Sequence, residues 1–309
     1  MAQRVRITDV SPRDGLQNEA GVIATPDKAR LVRLLCEAGV DEVEVSSFVS
    51  ARWVPQLGDA AEVFALLHDA KPKGTLFSAL VPNETGLEAA LAVNQAAGMR
   101  LIDRVAVFTA ASETFSKKNT NATIAETLKR FDPVIKRAKA ADLGVRGYVS
   151  CVAGCPFEGE IAPEKVSLVA QGLWDLGADE IDLGDTIGAA EPADIALLIN
   201  AMTTRLGDRV LDQLTLHLHD TSGRAAECVV EALALGVRSF DASVGGLGGC
   251  PYASTPERRA PGNLSTQALV RTVTQAGFTT GVAPERLDAA ATFARDIVAR
   301  ARAETRTQA

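Results

Sequence analysis

Four times along the chain a helical pattern ends in glycine and tips directly into an apolar run: EAGVDEVEV, AAGMRLIDRV, DLGADEIDL and ALGVRSFDA. A phrase that returns in this way marks one supersecondary unit used repeatedly. Runs rich in Val, Ile and Leu fall at 4–10, 41–47, 75–80, 101–108, 145–151, 179–184, 214–219 and 237–244, with helical patterns between them. Eight such strands alternating with helices favour a closed (β/α)8 TIM barrel over an open doubly wound sheet. The open sheet would carry a glycine-rich dinucleotide loop after its first strand, and no GxGxxG follows RVRITDV. In TPDKARLVRLLCEAG, Thr25 is expected to cap the helix, Pro26 to suit its first turn and Gly39 to end it. The segment APERLDAAATFARDIVARARAE predicts an additional C-terminal helix at roughly 284–302. No linker or low-complexity stretch divides residues 1–309, so the expectation is a single barrel domain.

Composition narrows the ligand. The chain is 47% hydrophobic and 23% charged, ordinary for a globular protein, and its net charge of −7 disfavours a nucleic-acid or anionic-membrane partner. A small molecule is expected instead. No apolar run is long enough to cross a bilayer, and MAQRVRITDV reads as a strand rather than a signal peptide, which predicts a cytoplasmic protein. The five cysteines, at 36, 151, 155, 228 and 250, form no repeated CxxC pairs and suggest neither a disulfide framework nor a zinc module. There are only three histidines, and two of them share the tetrapeptide HLHD.

In a barrel of this kind chemistry collects at the carboxyl ends of the strands. Those ends are polar here: Asp9 followed by SPRDG with Arg13 and Asp14, Glu44 and Ser46, Tyr148 and Cys151, Asp185 in LGDTIG, then HLHD and GGLGGCPYA. Residues two apart on a strand share a face, so His217 and His219 point the same way. Barrel closure brings Asp14 beside them. Two imidazoles, a carboxylate and open positions suit an octahedral divalent ion such as Mg²⁺ or Mn²⁺, and ligand type leaves Zn²⁺, Fe²⁺ and Co²⁺ open. Glu44 needs a partner inside a parallel strand, and is expected to support Arg13 or to act directly; Asp9 and Asp185 raise the same choice. In VGGLGGCPYA four glycines occupy five positions, which allows a lid, and Cys250 within it is placed to transfer a proton. Lys117 and Lys118, beside Asn119 in ASETFSKKN, offer a weaker signal for the phosphates of an extended cofactor.

Taken together, DVSPRDGLQNE, SSFVS, WVPQLGD, AASETFSKKN, RGYVSCVAGCP, LGDTIG, HLHDT and GGLGGCPYA resemble the 3-hydroxy-3-methylglutaryl-CoA lyase family across nearly the whole chain. The resemblance implies a metal-dependent (β/α)8 lyase that cleaves this acyl-CoA to acetyl-CoA and acetoacetate. By the same resemblance Asp14, His217, His219 and Asn263 match metal ligands, Arg13 matches the residue that stabilises an enolate, and Cys250 matches the catalytic loop cysteine. Two departures stand out. STPERRAPGN is longer than the family's usual link to its Gly-Asn pair and carries Glu257, Arg258 and Arg259; Gln267 stands where the family tends to have an acid. Both allow a lyase of the same mechanism for another 3-hydroxy-acyl-CoA, such as citramalyl-CoA. A condensing synthase of the same superfamily would usually carry a further C-terminal region, and a non-catalytic acyl-CoA-binding barrel would be expected to lack a ligand or the cysteine. Exposed barrel helices make a homodimer plausible.

Overall fold

The structure is a computed structural model and describes residues 3–249 and 262–308. Eight parallel strands close into a barrel: β1 (Arg6–Asp9), β2 (Glu42–Ser47), β3 (Leu76–Leu80), β4 (Arg104–Ala110), β5 (Gly144–Ser150), β8 (Glu180–Asp185), β9 (Leu214–Leu218) and β10 (Ser239–Ala242). The first and last meet at Arg6↔Ser239 through Asp9↔Ala242. A two-stranded hairpin absent from the sequence reading, β6 (Gly154–Cys155) with β7 (Gly159–Glu160), stands above β5.

Helices α1 (Thr25–Ala38), α3 (Glu84–Ala97), α5 (Ile124–Ala140), α6 (Pro163–Asp175), α7 (Pro192–Leu206), α8 (Ala225–Ala234) and α9 (Thr266–Gln275) surround the barrel, with the shorter α2 (Ala60–Ala65) and α4 (Glu113–Thr120). The added helix, α10 (Pro284–Gln308), starts where expected and runs several residues further, packing on α1. Among the described residues no helix is long and apolar enough to cross a membrane.

Two local expectations need correction. Thr25 is the first helical residue rather than the cap; its hydroxyl donates to Asp59 Oδ2 at 2.7 Å, and Ala24 holds the cap position. Strand four begins at Arg104 rather than at 101, because both backbone polar groups of Ile102 bond to the side chain of Asn94 on α3 and are lost to the ladder. Gly39 ends α1 in the left-handed conformation (φ 86°), as its position predicted.

The layer between strands and helices is apolar, but the barrel interior is not. Arg146, the largest fully buried side chain, lies at its centre. Its guanidinium meets Glu180 at 2.6 Å, Asp241 at 3.0 Å and, at longer range, Glu42 at 3.6 Å and Asp182 at 3.7 Å. Below it Arg104 bridges Glu42 and Glu180 at 2.8 and 3.2 Å, and Arg6 adds a contact to Glu180 at 2.9 Å. Burial would raise Glu180, but Arg146, Arg104 and Arg6 outweigh it and bring the carboxyl down to about 2. Asp182 goes the other way: burial and the neighbouring Asp241 push it well above the ordinary carboxylate range.

Replacing Arg146 with methionine strands several buried carboxylates at once, and removing one partner of a buried ion pair costs about 3–5 kcal/mol. Urea unfolding of Arg146→Met should show a loss of that order; a loss below about 1 kcal/mol would mean that the buried carboxylates take up protons in place of the cation.

Candidate active site

Immediately after β1 the chain makes one wide helical turn, Ser11–Gly15. The amides of Arg13, Asp14 and Gly15 all donate to one carbonyl, Val10 O, at 3.2, 2.8 and 3.2 Å. Such i→i+5 turns recur at functional sites. This one aims Arg13 and Asp14 over the carboxyl end of the barrel. Gly15 is needed at the turn's close, since a Cβ there would lie 2.9 Å from Ser243 Oγ and 3.0 Å from Leu247 Cβ. Asp9 fastens the turn from behind. It accepts from the amide and hydroxyl of Ser11 and, at 2.6 Å, from the hydroxyl of Thr266, while burial pushes its carboxyl up to about 6.

His217 lies on β9 and His219 follows it, with ring centroids 5.3 Å apart. Each ring is gripped at Nδ1: His217 by Asp241 Oδ2 at 3.4 Å, His219 by the backbone carbonyl of Asp185 at 3.0 Å. Asp14 and the two histidines each offer a ligand atom within 4.8 Å of the others. Asn263 joins them because residues 262–265 continue the barrel's mouth: Asn263 bridges to His219, Leu264 bonds to Leu218 and Ser243, and Ser265 caps α9. The Nδ2 of Asn263 donates to Asp14 Oδ2 at 2.8 Å and to Leu247 O at 3.0 Å. Its Oδ1 is buried with no partner among the described residues. An orphaned acceptor beside two imidazoles and a carboxylate is what a divalent cation would satisfy, so the residues present fit one. Gly248 (φ 100°) leaves the necessary room, because a Cβ would come within 2.7 Å of Asn263 Nδ2.

Arg13 is buried between two acids. Its Nε donates to Glu44 Oε2 at 2.5 Å and its Nη1 to Asp14 Oδ1 at 2.8 Å, and its guanidinium carbon lies 5.6 Å from the centroid of the Tyr148 ring. Among the described residues Nη2 has no partner. Burial works against the charge on Arg13, but Glu44 and Asp14 more than restore it. Burial would likewise raise Asp14; Arg13, His217 and His219 overcome that and hold it at about 2. The imidazoles diverge: burial and then His217 bring His219 down to about 4, whereas for His217 the effect of burial is outweighed by Asp241 and Asp14, and its pKa rises.

These groups form one end of a cavity of about 780 Å³, walled by Ser47, Trp53, Pro82, Phe115, Tyr148 and Thr186 among others. Such a volume suits a small-molecule site. Lys118 and Asn119 reach the wall, with Lys118 Nζ 4.9 Å from the Phe157 ring centroid, but exposed Lys117 does not. Both lysines belong to α4 rather than to a loop, and consecutive helical positions diverge by about 100°, so one face cannot present the pair. Glu44 lies against Arg13, as expected for support. The carboxylate of Asp185 is turned from the cavity and accepts the amides of Ala189 and Ala190 at 3.1 and 2.9 Å; alternation puts Gly184 and Thr186 on the wall instead. Cys250 falls outside the described residues, one position beyond Gly249, which lines the cavity. The sequence reading missed Asp241, Arg146 and Arg130. The first two were signalled by the polar alternation of SFDAS and VRGYVS, whereas Arg130 on α5 reaches the wall from a helix and left no such signal.

A parallel (β/α)8 barrel with a metal-ready cluster and a guanidinium at its carboxyl mouth has the architecture of a barrel enzyme. The chain belongs to the HMGL-like family, whose model matches residues 4–293. It is 46% identical over 291 residues to the mitochondrial hydroxymethylglutaryl-CoA lyase of Bos taurus, covering 94% of this chain and 85% of that one. Among solved structures, the HMG-CoA lyase of Brucella melitensis superposes with a TM-score of 0.88 at 43% identity, covering 96% of this chain and 99% of the other. An A. baumannii HMG-CoA lyase in complex with coenzyme A and 3-methylmalate gives 0.85 at 31%, covering 96% and 92%.

The divergent imidazoles predict the proton stoichiometry of metal binding. His219 is already neutral above about 4, so acidification should weaken Mn²⁺ binding through one proton, on His217, beginning above the ordinary imidazole value. Electron paramagnetic resonance titrations between about pH 5 and 8 should give a slope near one proton per ion; a slope near two would mean that both rings are protonated in the metal-free protein.

Proposed function

We propose that the protein cleaves 3-hydroxy-3-methylglutaryl-CoA to acetyl-CoA and acetoacetate, with Mg²⁺ or Mn²⁺ held by Asp14, His217, His219 and Asn263. The observation that carries this reading is the position of Arg13: a guanidinium whose Nη2 has no partner among the described residues, directly beside a metal-ready carboxylate. A bound divalent ion would supply Lewis acidity toward the substrate's hydroxyl and carboxylate oxygens. The rest of the chemistry falls to the chain.

When the hydroxyl proton leaves and the carbon–carbon bond breaks, the bonding electrons pass to the thioester as an enolate. The Nη2 edge of Arg13 stabilises that oxygen, and Glu44 holds the guanidinium in its plane. A proton must then reach the enolate carbon, and Cys250, next to cavity-lining Gly249, is assigned that transfer. Tyr148 and Phe115 help to exclude water. Lys118, Asn119 and Arg130 line the outer wall, where the nucleotide end of an acyl-CoA would leave the cavity. The coenzyme A bound to the A. baumannii relative supports an acyl-CoA substrate.

Metal-depleted protein given 3-hydroxy-3-methylglutaryl-CoA should release acetoacetate and acetyl-CoA only after Mg²⁺ or Mn²⁺ is restored. Arg13→Met should lower kcat by about 10²–10³, the usual cost of losing an oxyanion donor, and Cys250→Ala should abolish most turnover. Pyruvate from citramalyl-CoA, with no acetoacetate from the first ester, would transfer the mechanism to a different substrate.

A further inference from the structure

The two histidines are held from behind by unlike partners. His219 meets a neutral backbone carbonyl, whereas His217 meets the carboxylate of Asp241, its register partner on the adjacent strand. That carboxylate is itself pinned. Arg146 Nη1 lies 3.0 and 3.3 Å from its two oxygens, and the Tyr148 hydroxyl donates to Oδ2 at 3.2 Å. Arg146 is anchored in turn by Glu180 at 2.6 Å and by Thr8 Oγ1 at 3.2 Å. A continuous series of polar contacts therefore runs from the barrel's centre to the back of one imidazole. The other carboxylate near that ring, Asp182, has neither oxygen bonded among the described residues and lies 3.7 Å from Arg146.

We propose that Asp241 is a positioning residue for the metal site: by accepting the Nδ1 proton of His217 it fixes the ring's tautomer and rotation and turns Nε2 toward Asp14. The inference rests on the metal reading of Asp14, His217, His219 and Asn263. A neutral imidazole carries one N–H, so the partner at Nδ1 decides whether Nε2 has a lone pair to offer. The geometry agrees, with His217 Nε2 4.0 Å from Asp14 Oδ2 on the far side of the ring from Asp241. A carboxylate behind a ligand histidine also raises its basicity, and losing such a partner typically weakens metal binding about 10–100-fold. His217 would thus be the more strongly donating of the two imidazoles, although both look alike in the sequence.

Two measurements test this. With only three histidines in the chain, nitrogen-15 spectra of a His68→Gln protein report two imidazoles; His68 is exposed, hydrogen-bonded to Asp69 and remote from the cavity wall. In metal-free protein held above the titration of both rings, as the same spectra locate it, His217 should carry its proton on Nδ1. Asp241→Asn keeps the shape and removes the charge, and should weaken Mn²⁺ binding by about tenfold or more, with the unfolding of the metal-free variant remaining cooperative. An Nε2–H tautomer at His217, or unchanged Mn²⁺ affinity in a folded Asp241→Asn protein, overturns the assignment while leaving the metal reading intact. Parent protein that holds no Mn²⁺ overturns the metal reading, and this role with it. If Asp241→Asn does not fold, the tautomer in the parent protein decides alone.

Discussion

A guanidinium in the middle of a barrel is the constraint on which the rest of the structure depends. Transferring one ion into a dry interior costs several kcal/mol even after relaxation, and this barrel holds Arg146 together with Glu42, Glu180, Asp182 and Asp241. The arrangement survives because Arg104 and Arg6 join Arg146 from other strands in facing the acids, and burial pushes Asp182 toward its neutral form, so that strand register and ion pairing specify each other. A one-residue slip of β5 would exchange Arg146 for Val145 or Gly147 and take from Glu180 and Asp241 their 2.6 and 3.0 Å contacts to its guanidinium. An apolar barrel core would tolerate such errors better. The polar column gives up some stability and gains a defined field beneath the site.

The same pairing logic recurs at the mouth. Arg13 lies between Glu44 and Asp14, so two acids share one cation and hold its plane through Nε and Nη1. Because Arg13, Asp14 and Gly15 all donate to Val10 O, the wide turn behaves as one rigid piece. The guanidinium and the Asp14 carboxylate therefore keep their spacing whatever small movements β1 makes. Reaction geometry that must hold within a fraction of an ångström is better served by such a turn than by a long loop.

Much of this was legible in the sequence, and for identifiable reasons. Eight strands, the shared direction of His217 and His219, and the placement of Arg13 and Asp14 at the mouth follow from period-two alternation and the polarity of strand ends. The exception at strand four arose because Asn94, a side chain from the preceding helix, captured the backbone of Ile102. Glu44 was expected to need a partner, and Arg13 is there. Asp241 and Arg146 were passed over because attention to strand ends skips strand interiors, and only the assembled barrel reveals that their polar residues face one another. Lys117 and Lys118 differ because consecutive positions of a helix diverge, and only Lys118 lines the cavity.

The four metal-ready side chains straddle the seam where the first barrel strand meets the last. Asp14 follows β1, while His217, His219 and Asn263 come from the final third of the chain, and β1 touches β10 along its whole length. No partial barrel can hold the set, because about two hundred residues separate the first member from the second and only circular closure brings them together. Strands β2 to β8 could stack as an open curved sheet and still leave Asp14 stranded from its partners. The site is thus a latch on the ring. Its four side chains come within reach of one another only in chains whose final strand has already found the first.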